Sequence, residues 1–446
     1  MREKVKICFE IMEAKLIFML TCGIACMIVF IMEGFNEAVV PPIYPLHAKS
    51  NHNVSHVIVN FTMSTFYLMN LIGATALLFF TSVKYLKCIF ILGIIGASGS
   101  FILFGFIDYA GGYIYIYGCI LARCIGGLFV AFMWGTSFSL ITATMGRYSP
   151  RFIALFSVMY YIGCSMGGSV SVFIKNHLNY PSAFLFSTGI EFCMLLLIVF
   201  MPYSSTQQGD DNHAGSEVSI FEILSLPGTW LLCLVMGYLN LVLAFLEGNL
   251  AELLTHTFQI ENIKLLYLIG YSTLMPSSLI SSLIVDRGFG LQFTVFSFPI
   301  FMFLLGIICC TKFIFQLRTL LAMTTLLAFL NIPRAMVCGC LFAGLDAYLV
   351  VSLPDKDIIM LRALIAPLQS ACVTVGYFIG YLFCSGFLIP HFGFYPSLLS
   401  VVLCGFLISL ITLLYFIKTK LLLKRHLMKY LEIEIQPKVE EEETAC

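Results

Sequence analysis

In the stretch YLNLVLAFLEGNLAELL, residues 238–254, an amide and two carboxylates interrupt an otherwise apolar run: Asn240, Glu247 and Glu252. A charged side chain at the centre of a bilayer costs about 3 kcal/mol on insertion scales. Such a group needs a partner, a water-filled cavity or a proton. Asn240 and Glu247 are seven residues apart, so on a helix they share a face, about 10 Å apart along the axis. Glu252 points to a different face. Other acids also fall within apolar runs: Glu33 and Glu37, which share a helix face, then Glu191 and Asp346. The bases in such runs are Arg123 and Arg334. Burial disfavours the charged form of a carboxylate, so a buried acid can accept a proton on an acidic side and release it on a neutral one. Acids in this number, with two fixed bases, suit a cavity for an organic cation.

The elements that position these groups follow from composition. The chain has 446 residues, of which 60% are hydrophobic and 11% charged. A soluble domain carries about 25% charged residues, so this is an all-α, multi-pass membrane protein. The net charge is zero, which gives no footprint for nucleic acid. Twelve apolar runs are long enough to span a bilayer as helices: 16–45, 57–82, 88–108, 112–144, 151–174, 180–202, 228–256, 262–285, 291–311, 318–351, 360–387 and 394–417. They lack the strict alternation of barrel strands. The first run is far longer than a signal-peptide core and reads as a spanning helix.

With the N-terminus in the cytoplasm, 17 of the 24 basic residues fall on the cytoplasmic side and five on the far side. The cytoplasmic set includes Lys84, Lys87, Arg147, Arg151, Arg287 and the cluster Lys418, Lys420, Lys424 and Arg425. That bias predicts both termini inside. The longest polar break, YSSTQQGDDNHAGSEVS at 203–219, divides the spans six and six. The expected organisation is therefore a six-helix bundle over 1–202, a cytoplasmic linker over 203–227, a second bundle over 228–417 and a cytoplasmic tail over 418–446. The basic, partly apolar start of that tail suits a membrane surface.

The halves echo each other. SVKYLK (82–87) follows span 2, and VDRGFG (285–290), with Asp286 and Arg287, follows span 8. Span 5 carries GCSMGG (163–168) and span 11 carries GYFIGYLFCSG (376–386). Glycines four apart let helix backbones approach closely. Two matched halves are the sequence sign of a rocking-bundle transporter. The 17 cysteines lie mostly in apolar runs, with no metal-like pairing. GCSMG matches a nucleophile elbow but sits mid-helix, without the strand–turn–helix context that motif needs. No Walker loop, zinc motif or redox CxxC is present. No catalytic residue, metal ligand or cofactor site is expected, and the chain does not read as an enzyme.

These residues resemble the major facilitator superfamily, and within it the vesicular amine transporters. NLVLAFLEGNL places Asn240 and Glu247 at the seventh-span Asn and acid of that family. VVPPIYPLHA (39–48) resembles the proline-rich end of its first span, which puts Glu33 where monoamine members have an aspartate. ARCIGG (122–127) resembles the fourth-span Arg motif, GLDAYLVVSLP (344–354) the tenth-span segment with Asp346, and GYFIG (376–380) an eleventh-span segment with Tyr377. Phe66 and Ser370 stand where monoamine members have a lysine and an aspartate, and Gly168 replaces the fifth-span proline. ILFGFIDYAGGYIYIYGCILAR and SIFEILSLPGTW are similar to the polyamine branch. The resemblance implies a proton-coupled antiporter that loads a small organic cation, a polyamine or monoamine, into acidic vesicles, working as a monomer in the bilayer.

Alternatives stay open at each position. Glu247 is either the carboxylate where proton and cation compete or a silent ion pair with Arg123 or Arg334. Asp346 is a second proton or cation site or a structural acid. Glu33 lines the site or faces a polar cavity mouth, and Asn240 contacts substrate or bridges helices. Arg123 reads as a scaffold or gating charge, as do Asp286 and Arg287, and Arg334 as a cap on a helix kinked at Pro333. Tyr377, Phe245 and Phe66 offer cation–π faces or pack. The sequon at Asn53 falls on the lumenal side, and Asn60 is too close to span 2 for glycosylation. A cell-surface exporter of organic cations or drugs, and a receptor-like member that does not transport, are the competing functions.

Overall fold

Apolar runs of this length satisfy their backbone in lipid only as helices, and the computed structural model contains only helices and turns among the described residues. It describes residues 2–80, 85–145, 149–200, 219–252, 272–310, 320–354 and 358–419. The first half comprises α1 (Arg2–His52), α2 (His56–Phe80), α3 (Leu86–Phe106), α4 (Gly112–Met145), α5 (Ser149–His177) and α6 (Tyr180–Phe200). A short α7 (Ile220–Ser225) leads into α8 (Pro227–Glu252), α9 (Leu274–Asp286), α10 (Gly290–Cys310) and α11 (Leu320–Ser352). The chain ends in α12 (Ile358–Ile379), a wide-turn π segment (Gly380–Leu388), α13 (Ile389–Phe392) and α14 (Phe394–Lys418).

Nine helices among the described residues are long and apolar enough to cross a membrane, and three shorter apolar ones are Tyr180–Leu196, Leu274–Val285 and Gly290–Gly306. Together they occupy all twelve expected spans. Outside the described residues lie Lys84, Arg147, Lys264, Lys312, Arg318, the linker from 203 to 218 and the tail after 419. The side chains of Glu247, Glu252 and Asp286 lie outside them as well. The end of the expected linker is helical, because Ser219 caps α7 by accepting the Phe221 N–H.

Lipid-facing stripes are visible where apolar side chains stay exposed. On α14, Leu403, Leu407, Leu410 and Leu414 recur at helical spacing and are each more than half exposed. The opposite face carries Leu398, Val401 and Val402, which are buried in the main core of the second half.

The glycine motifs perform matching tasks in the two halves. A Cβ on Gly163 or Gly167 of α5 would overlap the carbonyl oxygens of Ile31 and Phe35 on α1. A Cβ on Gly376 of α12 would overlap the carbonyl of Gly237 on α8, and one on Gly380 would press on that of Leu241. Spans 1 and 5 thus meet backbone to backbone as spans 7 and 11 do. Alanine at either site must push two helices apart, because a helix carbonyl cannot swing aside. Gly163→Ala and Gly376→Ala are expected to cost about 1–3 kcal/mol each, the usual penalty for overpacking. Thermal unfolding in detergent measures this, with Gly99→Ala and Gly189→Ala as controls, since nothing lies near those positions. Equal midpoints in all four variants would contradict the close approach.

Candidate transport site

Helix α1 carries the centre of the site. Glu33 and Glu37 lie one turn apart, with Asn36 between them. Glu37 accepts hydrogen bonds on both oxygens: the Tyr67 hydroxyl of α2 donates to Oε1 at 3.3 Å, and the Tyr160 hydroxyl of α5 donates to Oε2 at 2.5 Å. Trp134 of α4 meets Tyr160 edge-on, with centroids 5.3 Å apart, and so braces that ring.

Tyr67 also reaches across to the second half. Its ring stacks on Tyr377 of α12 at 4.4 Å, nearly parallel at 4°, and lies 5.7 Å from Tyr381 of the π segment. A widened helical turn often accompanies a functional position. Here it sets Tyr381 and Ser385 against the neighbouring helices. The amide of Asn249 on α8 donates to Ser385 Oγ at 2.8 Å and to the Phe245 carbonyl at 2.6 Å.

The other acids on this side are close by. Asn36 Nδ2 donates to Glu191 Oε1 of α6 at 2.8 Å. Glu33 is buried, and neither of its oxygens receives a hydrogen bond. Glu37 and Glu191 are both near enough to act on it electrostatically. Both Glu33 carboxyl oxygens are thus enclosed by protein without a donor, an uncommon setting for a buried polar group.

The buried arginines face the same region. Arg123 of α4 lays its guanidinium over the Phe66 ring, 4.1 Å from the centroid. Phe66 therefore serves this fixed cation rather than presenting a free face. Arg123 and Arg334 both act electrostatically on Glu37. Glu33, Glu37 and Glu191 outnumber these two arginines.

The remaining expected positions are spread along the bundle. Asn240 is buried on α8 and its amide donates to the Met236 carbonyl of its own helix at 2.8 Å. Asp346 is buried on α11, twelve residues after Arg334, which is about 18 Å along the axis. It belongs to the level where the Tyr348 hydroxyl accepts the Gly228 N–H. Phe245 is buried against Phe394 at 5.5 Å. Arg287 is exposed just past α9, and Lys87 donates to the Val199 carbonyl at 3.2 Å, tying α3 to α6. Asn53 is exposed in the turn between α1 and α2 with φ at 52°, whereas Asn60 is buried.

Sequence reasoning placed Glu37 on the face of Glu33 but did not single it out, and it passed over Tyr67 and Tyr160. The signal was the i, i+4 spacing of two acids in one span. The tyrosines carried none, since their meeting depends on three helices packing in register.

Two helical halves that meet over buried acids, arginines and stacked tyrosines define a multi-pass solute transporter. The chain belongs to the Major Facilitator Superfamily, whose family model matches residues 26–251, just over half of its length. Comparison with curated proteins finds no match. Among solved structures, the chain is similar to the human organic anion transporter MFSD10 (TETRAN), with a TM-score of 0.61, 13% identity, and 88% of this chain and 99% of that one covered. It is likewise similar to the proton:xylose symporter XylE bound to 6-bromo-6-deoxy-D-glucose, with a TM-score of 0.61, 14% identity, and coverage of 88% and 94%. At these identities the likeness establishes the fold.

Proposed function

We propose that the chain is a proton-coupled antiporter that moves an organic cation, a polyamine or monoamine, from the cytoplasm into acidic vesicles. The observation that carries this reading is the Glu37–Tyr67–Tyr377 constellation: a carboxylate held by two hydroxyls, one of which belongs to a ring stacked across the two halves. In the proposed cycle an ammonium group replaces the hydroxyl donors at Glu37 and separates the Tyr67–Tyr377 stack to lie against a ring face. Glu33, one turn away, supplies a second acid for a diamine or a proton.

In this scheme Glu247, at the family acid of the seventh span, exchanges proton for cargo, with Asp346 as a second such site and Asn240 beside the path. Its helix, α8, meets α12 backbone to backbone at Gly237 and Gly376, so a change at Glu247 acts on the helix that bears Tyr377. Protonation in the lumen removes the charge that holds the cation and expels it. Deprotonation on the cytoplasmic side restores the site. The two bundles, 1–202 and 228–417, rock about the seam, with linker 203–227, tail 418–446 and both termini in the cytoplasm, and with Asp286 and Arg287 as loop charges on that side. Asn53 would then carry a lumenal glycan.

The test is a panel of labelled polyamines, monoamines, quaternary amines and organic anions offered to proteoliposomes with and without an acidic lumen. Uptake of amines that depends on the gradient is expected. Transport restricted to anions would overturn the reading, as would amine uptake indifferent to the gradient.

A further inference from the structure

Two imidazoles and a carboxylate converge at one end of the first half, away from Glu37. His47 Nε2 lies 2.6 Å from Asp108 Oδ1, and His52 Nε2 lies 3.0 Å from the same oxygen. The histidines are five residues apart, a spacing that ordinarily puts two side chains on different faces of a helix. They converge because His52 is the last residue of α1 and the chain turns directly after it. Asp108 comes from the 3-10 turn Ile107–Tyr109 that follows α3.

Both rings are fixed from behind. His47 stacks on Tyr180 at 3.8 Å and 7°, and His52 stacks on Tyr115 at 3.6 Å and 9°. Packing therefore aims the two Nε2 atoms inward. One ligand atom from each residue can be chosen so that all three lie within 4.8 Å of one another. Ligand atoms at zinc bond lengths sit about 3.3 Å apart around a tetrahedral ion, so only small side-chain shifts are needed. The three side chains keep 7%, 14% and 17% exposure in the order His47, His52, Asp108, which leaves room for water as a fourth ligand.

We propose that His47, His52 and Asp108 form a divalent transition-metal site of the zinc type. Two neutral imidazoles and one carboxylate match the donors that zinc, nickel and cobalt accept. A bound ion would clamp the end of α1 to the α3–α4 turn and brace one end of the first half. Lys175, in the last turn of α5, acts electrostatically on both Asp108 and His47. It is the competing cation: it offsets the Asp108 charge when the ion is absent.

Zinc alone, added to the purified full-length chain in detergent, is expected to bind once per chain and to raise the unfolding midpoint. Cobalt is expected to give visible bands without a thiolate charge-transfer band, which excludes the cysteines as ligands. Asp108→Asn and His52→Gln weaken binding by at least about tenfold, and Lys175→Met tightens it. No metal-dependent change would overturn the proposal and leave a hydrogen-bonded latch only. A thiolate signature, or unaltered affinity in both weakened variants, would also overturn it.

Discussion

Glu37→Gln lowers gradient-driven amine uptake by about a hundredfold, as expected when a buried charge partner is lost at a cost of roughly 2–5 kcal/mol. Glutamine keeps the size of the side chain and one oxygen to accept from Tyr67 or Tyr160, so the fold is maintained. It cannot hold a positive charge. The loss should appear as weaker amine binding in counterflow as well as slower uptake, because the proposed site has Glu37 meet the cargo directly. Glu247→Gln is expected to lose gradient-driven uptake to a similar extent, since on the proposed mechanism it removes the group at which proton and cation compete. Undiminished uptake in Glu247→Gln would discard that residue's role while leaving Glu37 to be judged separately.

Tyr377→Ala raises the amine concentration needed for half-maximal counterflow by about 30-fold, the equivalent of a desolvated cation–π contact of about 2 kcal/mol. Tyr377→Phe keeps the face and should lose little. Tyr67→Phe separates the two jobs of that residue: it preserves the stack on Tyr377 at 4.4 Å and deletes the hydroxyl that donates to Glu37. Its expected effect is therefore on the pH dependence of binding more than on affinity at neutral pH. If Tyr377→Phe proved as damaging as Tyr377→Ala, the hydroxyl rather than the ring face would be the working part.

Much of this architecture was legible because it is written locally along the chain. Twelve spans follow from apolar length, and the paired glycines at 163 and 167 and at 376 and 380 marked helix contacts that α1–α5 and α8–α12 then make. The shared face of Glu33 and Glu37 is a consequence of helical period. The site's cross-links are not local. Tyr67 and Tyr160 stand 30 and 123 residues from Glu37, and no spacing rule relates separate helices in register. For the same reason the choice between a cation–π face and packing at Phe66 stays open in the sequence, whereas in the structure the Arg123 guanidinium lies over that ring. The meeting of His52 with Asp108, 56 residues on, depends on how one helix end and one distant turn are set by the bundle.

On the proposed antiport, a hydrogen ion is traded for a cation at carboxylates between the two halves. The direct measurement is lumenal pH in acid-loaded proteoliposomes, followed by a trapped dye while amine is added outside. Amine-evoked alkalinisation of the lumen is expected in the native chain and is lost in both Glu37→Gln and Glu247→Gln. Amine entry with no accompanying proton exit, or an identical dye signal in the two variants and the native chain, would contradict it.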